Sequence, residues 1–364
     1  MLEVGGLKKN QASWLFFTLA CLLVLFVGLR YHTGADWCMY EHIFDNTFSI
    51  TERIEYGYLL LNSIFQTIFN SYYVLQFCAT LFFVFSVSRF YKKAAPYPMA
   101  ALTFLMCFML FNILMAQVRQ SIAIAIIVLF SQSIFERKLL RFLIVIFVAS
   151  FFHTSAIAAI PIYFLYRNYG KILPVVLILA ANIFYFYPEL LKIIVLQVVP
   201  ILPDTLSIKA TSYMESIFAQ KATFNTGLFY LSQLVITLLL VLFVKTENNK
   251  TAFFVNTLVI VAIIKAFASS IFILGRLESY YLVYAVVAFT YIWDIKIKRM
   301  QLYGTKLVFA VVLLLFFYVL PIRNLTSTKI SNITNKQENY AILPYYNCIF
   351  HPEEATSRKD WFKK

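Results

Sequence analysis

Charged residues are scarce in this 364-residue chain, at 13%, whereas soluble globular proteins carry about 25%. Hydrophobic residues make up 61% of the chain, and the mean hydropathy is +0.77. The five cysteines are scattered, without the spacing of a disulfide framework or a zinc site. No Asp-x-Asp motif and no convincing ligand cluster occurs, so neither a metal nor another cofactor is expected. These scarcities exclude a soluble globular protein and predict an all-α polytopic integral membrane protein.

The net charge of +14 has a simple explanation in such a protein. In a soluble protein, a charge of this size indicates a nucleic-acid partner. In a membrane protein, Lys and Arg collect in cytoplasmic loops, and we therefore expect no nucleic-acid partner. No polar segment is long enough to fold alone, so residues 1–364 are predicted to form a single integral membrane domain.

The apolar runs predict about eleven transmembrane helices, with the N-terminus in the cytoplasm and the C-terminus outside. The predicted spans are residues 12–29, 72–90, 97–115, 118–135, two within 139–167, 172–187, 227–244, 252–272, 281–293 and 307–320. Residues 57–69 are apolar but too short to span comfortably, and are predicted to form a re-entrant or interfacial helix. The predicted outer segments are residues 30–56, a large periplasmic loop at 188–226 and the C-terminal tail at 321–364.

Two connections are less regular. Residues 139–167 fit either one very long helix or two short helices that meet at 151–155. Arg167 belongs on the cytoplasmic side, which favours two helices with His153 at an outer turn. A second outer turn is expected at residues 276–280. In the large outer loop, residues 189–199 and 205–222 form amphipathic stretches, which suit helices lying in the membrane interface.

The predicted topology sorts the charged residues into two sets. Lysine-rich clusters fall on the cytoplasmic face, as the positive-inside rule requires. The outer set is Arg30, Asp36, Glu55, Arg119, His153, Arg276 and Glu278. Arginine is disfavoured on the outer side, so the three outer arginines are candidates for a site. The alternative is that each pairs locally with a carboxylate and holds helices together.

Two charges interrupt or adjoin long apolar runs. Arg119 separates residues 97–115 from residues 120–135, and neither run contains a charge. An arginine in such a place costs about 2.5 to 3.5 kcal/mol on insertion scales. Lys265 lies inside residues 252–272, where pairing within the helix bundle is favoured over snorkelling.

The chemistry of the outer set suits a phosphate or diphosphate ligand. A guanidinium stays charged and binds phosphate oxygens in pairs. The outer segments also hold many tyrosines, whose rings stack on sugar faces. The aromatic belt of a membrane interface explains most of these tyrosines equally well.

Short motifs along the chain resemble those of a known family. The motifs are Gly28-Leu-Arg30, Gly34-Ala-Asp36-Trp-Cys-Met-Tyr40, Glu55-Tyr-Gly-Tyr58, Val118-Arg-Gln-Ser-Ile-Ala123 and Phe152-His153-Thr-Ser155-Ala. In this order and spacing, over residues 20–160, the chain resembles the EpsG family of bacterial envelope polysaccharide polymerases of Wzy type. The later half of the chain resembles the family only in the kind of motif it contains. The two motifs are Gly275-Arg276-Leu-Glu278-Ser-Tyr280-Tyr281 and Ile342-Leu-Pro-Tyr345.

The resemblance implies a metal-independent glycosyltransferase with a C-type glycosyltransferase-like architecture. It would lie in the bacterial inner membrane with its active site facing the periplasm. It would transfer a growing glycan from undecaprenyl diphosphate to the next lipid-linked repeat unit, as in O-antigen synthesis for lipopolysaccharide. The implied partners are the undecaprenyl-diphosphate-linked donor and acceptor and the membrane lipid. A chain-length regulator protein is a further candidate.

Candidate roles within that reaction follow from charge. Cations neutralise the diphosphate leaving group, and the candidates, in order, are Arg119, Arg276 and Arg30. A base assists the attacking hydroxyl, and the competing candidates are Glu278, His153, Asp36 and Glu55. Glu278 and His153 suit an orienting role slightly better, and the residues alone leave the choice open. His153 also suits a simple helix cap, with Thr154 and Ser155 beside it. The candidate glycan contacts are Tyr40, Tyr280, Tyr281 and Gln120.

Three other functions stay open. An O-antigen ligase-type glycan transferase needs the same arginines and differs only in its acceptor. A lipid-linked oligosaccharide flippase or other transporter places ionisable groups near the bilayer midplane, whereas most of those in this chain cluster at one face. A membrane O-acyltransferase would rest on His153 alone.

Overall fold

The computed structural model describes residues 9–34, 36–49, 54–198, 224–268 and 274–294, together with three short strands between 328 and 347. Apart from the strands, the regular structure in these residues is helical. The chain divides into two compact units. Unit 1 comprises Met1–Ser133, Lys138–Ile157 and Lys296–Lys364, and unit 2 comprises Ile134–Arg137 and Ala158–Ile295.

Unit 1 is organised around a long central helix. Its helices are α1 (Lys9–Gly28), α2 (Trp37–Asp45), α3 (Tyr56–Phe69), α4 (Tyr72–Ala94), α5 (Pro98–Met109), a π-helix (Leu110–Leu114), α6 (Val118–Leu129) and α8 (Leu139–Ser150). The short α7 (Gln132–Phe135) lies where the two units meet in the sequence. Helix α4 packs against both α1 and α6. Nearly every residue of α6 is buried, because it packs against α4 on one side and α8 on another.

Two small antiparallel pairs complete unit 1. Strand β1 (Arg30–Tyr31) pairs with β4 (Tyr346–Asn347), with Arg30 opposite Asn347. Strand β2 (Thr328–Ile330) pairs with β3 (Gln337–Asn339). Because β1 follows directly on α1, residues 346 and 347 lie at the C-terminal end of α1.

Unit 2 is built on a pair of adjacent apolar helices. Its elements are most of a 3-10 helix (Thr154–Leu165), then α9 (Ile172–Phe186), α10 (Pro188–Val198), α11 (Phe224–Phe243), α12 (Asn249–Ala268), α13 (Gly275–Thr290) and a 3-10 turn (Tyr291–Asp294). Helix α12 packs most extensively on α13 and also contacts α9 and α11. Helix α13 is buried throughout from Ser279 to Thr290.

The predicted class of all-α membrane protein is confirmed. Among the described residues, three helices are long and apolar enough to cross a membrane: Asn10–Gly28, Tyr72–Ala94 and Asn249–Ala268. The shorter apolar helices are Pro98–Leu114, Val118–Leu129, Leu139–Ser150, Thr154–Leu165, Ile172–Phe186 and Tyr230–Phe243. The count of about eleven spans stays a prediction.

Most of the expected helix positions agree with the structure. The predicted break within 139–167 is confirmed, because α8 ends at Ser150 and the 3-10 helix begins at Thr154. The short apolar segment after Glu55 is the helix α3, and the first amphipathic stretch of the large loop is α10. The predicted helices at 205–222 and 307–320, and the motif residue Tyr345, lie outside the described residues.

Two expectations differ from the structure. The predicted outer segment 30–56 contains the helix α2, whose buried Trp37, Tyr40 and Phe44 recur at helical spacing. The turn expected at 276–280 is wrong, because α13 already begins at Gly275. Glu278 lies in the first turn of that helix, where a carboxylate is favoured by the helix dipole.

Candidate functional site

The start of α3 is held tightly against the end of α8. The backbone N–H of Gly57 donates a hydrogen bond to the carbonyl oxygen of Phe151 at 2.9 Å. A Cβ atom at position 57 would lie only 2.8 Å from that oxygen, so the close approach requires glycine. This contact brings Glu55, which directly precedes α3, beside the break that follows α8.

Glu55 connects three segments that are far apart in sequence. Its Oε2 accepts a hydrogen bond from Arg119 Nη1 at 2.7 Å. Its Oε1 accepts from His153 Nδ1 at 3.2 Å, and from the Thr154 backbone N–H at 3.1 Å and hydroxyl at 3.2 Å. Thr154 begins the 3-10 helix, so the carboxylate also lies at a helix N-terminus. The Glu55 side chain is 14% exposed.

These donors keep Glu55 ionised. Burial alone would raise the pKa of the Glu55 carboxyl. The hydrogen bonds from His153 and Thr154, together with the charge of Arg119, outweigh burial and lower the pKa well below its ordinary value. A carboxylate held in this way has little affinity for a proton. Glu55 is therefore better suited to orient its neighbours than to act as a general base.

The tautomer of His153 follows from its partner. An ionised carboxylate only accepts hydrogen bonds, so the ring nitrogen that faces Glu55, Nδ1, carries a proton. In the neutral ring, Nε2 then holds the lone pair. The side chain of His153 is 19% exposed.

Arg119 lies in the first turn of α6, with aromatic rings around its guanidinium. The carbon Cζ lies 5.7 Å from the ring centre of Tyr40 and 6.0 Å from that of Tyr58. Such distances allow cation–π attraction. Burial raises the pKa of the Tyr40 phenol, and the nearby charge of Arg119 opposes this rise. The Arg119 side chain is 18% exposed.

Another glycine packs closely against the turn that precedes Arg119. Gly34 has a φ of +115°, and a Cβ atom there would collide with the carbonyl oxygen of Met115. Met115 follows the π-helix and precedes α6. The loop after β1 therefore contacts the segment that positions Arg119.

Arg30 lies in the same unit but donates to the backbone. It is 2% exposed, with Nη1 2.7 Å from the carbonyl oxygen of Val27 and Nε 3.2 Å from that of Thr33. Gln76 on α4 donates to the carbonyl oxygens of Gly28 and Arg30. These bonds hold the chain where it leaves α1.

A second cluster of buried polar side chains includes His32, two residues after Arg30, and Glu41. Glu41 accepts a hydrogen bond from the Tyr73 hydroxyl at 3.1 Å and lies 3.5 Å from His32. The His32 ring stacks between those of Tyr31 and Trp37, with centroids 4.0 and 4.1 Å away. Glu41 was not among the expected site residues. Asp36 is the N-cap residue of α2, without a side-chain capping bond.

The other predicted charges lie in unit 2. Lys265 Nζ is 3.3 Å from Glu278 Oε1 and also donates to Gln233 Oε1. The expected pairing of Lys265 within the bundle is therefore confirmed. Arg276 is exposed in the first turn of α13. Among the described residues, no group of three or more His, Cys, Asp or Glu is arranged to hold a metal ion.

All four predicted glycan contacts are buried. Tyr40, Gln120, Tyr280 and Tyr281 are at most 4% exposed. The Tyr281 hydroxyl donates to the carbonyl oxygen of Ala158 at 2.6 Å. Tyr58 was not among the predicted site residues, although it ends the motif that begins at Glu55. Its position three residues after Glu55, on one face of a helix, is the signal that points to it.

Comparison with known proteins identifies the family. No curated protein and no solved structure matches the chain significantly. The model of the EpsG family matches residues 13–346, which is most of the chain. The chain therefore belongs to the EpsG family.

Proposed function

We propose that this protein polymerises undecaprenyl-diphosphate-linked repeat units into a long surface polysaccharide at the periplasmic face of the inner membrane. Membership of the EpsG family supports a role like that of a polysaccharide polymerase in general. The observation that carries the finer proposal is the cluster of Glu55, Arg119 and His153, which combines a cation for a diphosphate with a histidine for a hydroxyl.

Arg119 is the proposed contact to the leaving group. When the glycosidic bond to the diphosphate breaks, the bonding electron pair stays on the phosphate oxygen and negative charge grows there. A guanidinium has five N–H donors, and in Arg119 it binds Glu55 through Nη1 and also interacts with Tyr40. Arg276, which is exposed, is the second candidate. Arg30 donates to backbone carbonyls, so we assign it to holding the loop after α1.

His153 is the proposed base. Its Nε2 would accept the proton of the acceptor sugar hydroxyl while that oxygen forms the new bond to the anomeric carbon. Glu55 would act through His153 and Arg119 as a positioning residue. Glu278 is less suited to the role of base, because Lys265 holds it in an ion pair.

Charge and strand pairing support an outer location for this cluster. Helix α4 ends with Lys92 and Lys93, which favour the cytoplasm at that end. The contact of Gly34 with Met115 ties the Arg119 region to the C-terminal end of α1. The tail strand β4 pairs at the same end, which fits an N-terminus inside and a tail outside.

The test uses cells that lack the chromosomal copy and carry Arg119→Gln or His153→Gln. Both variants should insert normally but make no long glycan, and cells should accumulate a single repeat unit on the lipid carrier. The matched control is Arg141→Gln, an exposed arginine of α8 that has no role in the proposed site. Glycan length is measured by gel, and lipid-linked glycan by mass spectrometry.

The outcomes separate the alternatives. Normal long chains in Arg119→Gln would contradict the site. Loss of the single-repeat product from the periplasmic face would instead favour a flippase. Accumulation of full-length polymer on the lipid carrier would favour a ligase.

A further inference from the structure

The hydroxyl of Thr154 has a partner from a distant segment. Threonines such as Thr67, Thr80 and Thr103 donate to the carbonyl oxygen four residues earlier in their own helix. Bonds of that kind satisfy the hydroxyl locally and join no other segment. The exposed Thr154 instead donates to Oε1 of Glu55, 99 residues earlier, at 3.2 Å. Local helix structure therefore does not account for this bond, which ends at the carboxylate of the candidate site.

The backbone at this point is held by two other hydrogen bonds. The N–H of Gly57 donates to the carbonyl oxygen of Phe151 at 2.9 Å. The N–H of Thr154 donates to Glu55 Oε1 at 3.1 Å. Both bonds join residues 55–57 to residues 151–154 without the Thr154 hydroxyl. Removal of that hydroxyl should therefore leave the backbone of the site in place.

The hydroxyl acts on the side chain of Glu55. The last torsion of a glutamate side chain turns the plane of the carboxylate, and its intrinsic preferences are broad. Hydrogen-bond donors must therefore set this plane. Thr154 supplies two donors to Oε1, its N–H and its hydroxyl. With Oε1 held, Oε2 is directed at Arg119 Nη1, 2.7 Å away.

The histidine of the site depends on the same oxygen. His153 Nδ1 lies 3.2 Å from Glu55 Oε1, the atom that the Thr154 hydroxyl also binds. A rotation of the carboxylate would move the acceptor away from His153 and from Arg119 together. One neutral hydroxyl can thus control the direction of both groups.

We propose that Thr154 is a positioning residue for the glycosyl transfer, and that its hydroxyl fixes the plane of the Glu55 carboxylate. That plane in turn directs Arg119 and His153. This inference rests on the proposed function and adds an uncharged residue to the site. Thr154 acts through Glu55 and does not contact the reacting atoms. The charges of Glu55 and Arg119 persist without the hydroxyl, so its loss should slow the reaction of bound substrate and leave substrate binding nearly unchanged.

Removal of the hydroxyl tests the proposal. Thr154→Val keeps the shape of the side chain, Thr154→Ala shortens it, and both variants keep the backbone N–H. We expect kcat to fall about tenfold or more in both, because a small misplacement of a reacting group slows the chemical step strongly. KM should change by less than about twofold. The melting temperature should stay close to that of the wild type, because the side chain is exposed and the backbone bonds remain.

Two further variants serve as controls. Thr154→Ser keeps a hydroxyl at the same position and should retain most of the wild-type kcat. Thr67→Val removes the hydroxyl of another exposed threonine, which donates to the carbonyl oxygen of Ser63 on α3. That variant should have the kcat of the wild type.

The assay uses the full-length purified protein in nanodiscs and the lipid-linked single repeat unit extracted from cells without polymerase. Initial rates of polymer formation are measured against substrate concentration, and melting temperatures are measured on the same samples. A lower kcat in Thr154→Val and Thr154→Ala, with retention in Thr154→Ser and Thr67→Val, supports the proposal.

The opposite outcomes separate this inference from the proposed function. If the wild type forms polymer and either hydroxyl-free variant has the same kcat, the proposal is overturned and the proposed function stands. The proposal is also overturned if Thr154→Ser loses as much kcat as Thr154→Val, or if the loss only follows the loss of folded protein. If the wild type forms no polymer from the repeat unit, the proposed function itself fails.

Discussion

Each unit of the molecule holds a partly buried ion pair at the beginning of a well-packed helix, but the two pairs are built differently. In unit 1, Glu55 and Arg119 are 64 residues apart, and His153 joins them from a third segment. In unit 2, Lys265 and Glu278 come from the consecutive helices α12 and α13, and Gln233 adds an amide. A pair between consecutive helices suffices to hold them together in a membrane. The assembly in unit 1 also brings a histidine and a partly exposed guanidinium to one carboxylate, as a reacting site requires.

The largest expected effect is on polymer formation when both charges of an ion pair are replaced by neutral residues. This effect should differ between the two pairs. In unit 1, Glu55→Gln combined with Arg119→Gln leaves no unpaired charge, so the protein should accumulate normally. Polymer formation should still fall about a hundredfold or more, because the cation and the orienting carboxylate are both gone. Glycan length in cells and the amount of protein in the membrane are measured together.

The counterpart in unit 2 is Lys265→Met combined with Glu278→Leu. This double variant should retain polymer formation if the pair only holds helices together. If polymer formation is retained in the unit 2 double variant and lost in the unit 1 double variant, the two pairs differ in function as described. Equal loss of polymer formation in both double variants would make Glu278 a candidate base again.

The next effect concerns stability when only half of the unit 2 pair is removed. Lys265→Met leaves Glu278 without its cation, and the free energy of unfolding should fall by about 3 kcal/mol. The double variant should recover most of this loss, because replacement of both charges avoids an unpaired buried carboxylate. Thermal melting in detergent is the measurement. A single variant as stable as the wild type would show that the pair contributes little.

A smaller effect is expected from the glycine that brings Glu55 to the site. Gly57→Ala places a methyl group 2.8 Å from the Phe151 carbonyl oxygen, so α3 must shift. We expect a loss of about 1 to 3 kcal/mol in the free energy of unfolding, together with reduced polymer length. The matched control is Gly275→Ala at the start of α13, where the nearest atom would be 3.7 Å away. That variant should be as stable as the wild type.

The smallest effect is in the pH dependence of stability. The pKa of Glu55 is lowered in the folded protein, so its ionisation stabilises the fold fully above the unfolded value of about 4.3. This contribution is lost as the pH falls from there through the folded value. The stability difference between wild type and Glu55→Gln should therefore narrow as the pH falls below about 4.3. A difference that stays unchanged between about pH 4.3 and about pH 3 would contradict the lowered pKa.

Helix positions could be predicted well because they depend on local patterns. The break near His153 followed from the charge of Arg167, and it agrees with the end of α8 at Ser150. The start of α13 was placed too late, because Arg276 and Glu278 resemble a polar turn although the helix dipole favours Glu278 in its first turn. Helix α2 was missed because its apolar face is short and lies within a polar segment.

Pairing could be predicted only in part. The outer arginines and carboxylates were recognised as one set, and local pairing was one of two explanations for them. Arg119 pairs with Glu55, and Arg30 donates to the carbonyl oxygens of Val27 and Thr33. Arg30 follows an apolar run, and Arg119 lies between two such runs. The local sequence therefore does not predict their different hydrogen-bond partners.

By itself, the amino-acid sequence determined that this is a helical membrane protein, where most of its helices lie, and which charges are costly. Hydrophobic length and charge distribution are sufficient for this, because the bilayer penalises polar groups in every fold. Only the tertiary structure decided that Glu55, Arg119 and His153 meet while Lys265 pairs with Glu278. The reason is that contacts between distant segments depend on backbone packing, and here the close approach of Gly57 to Phe151 places the carboxylate beside His153 and Thr154.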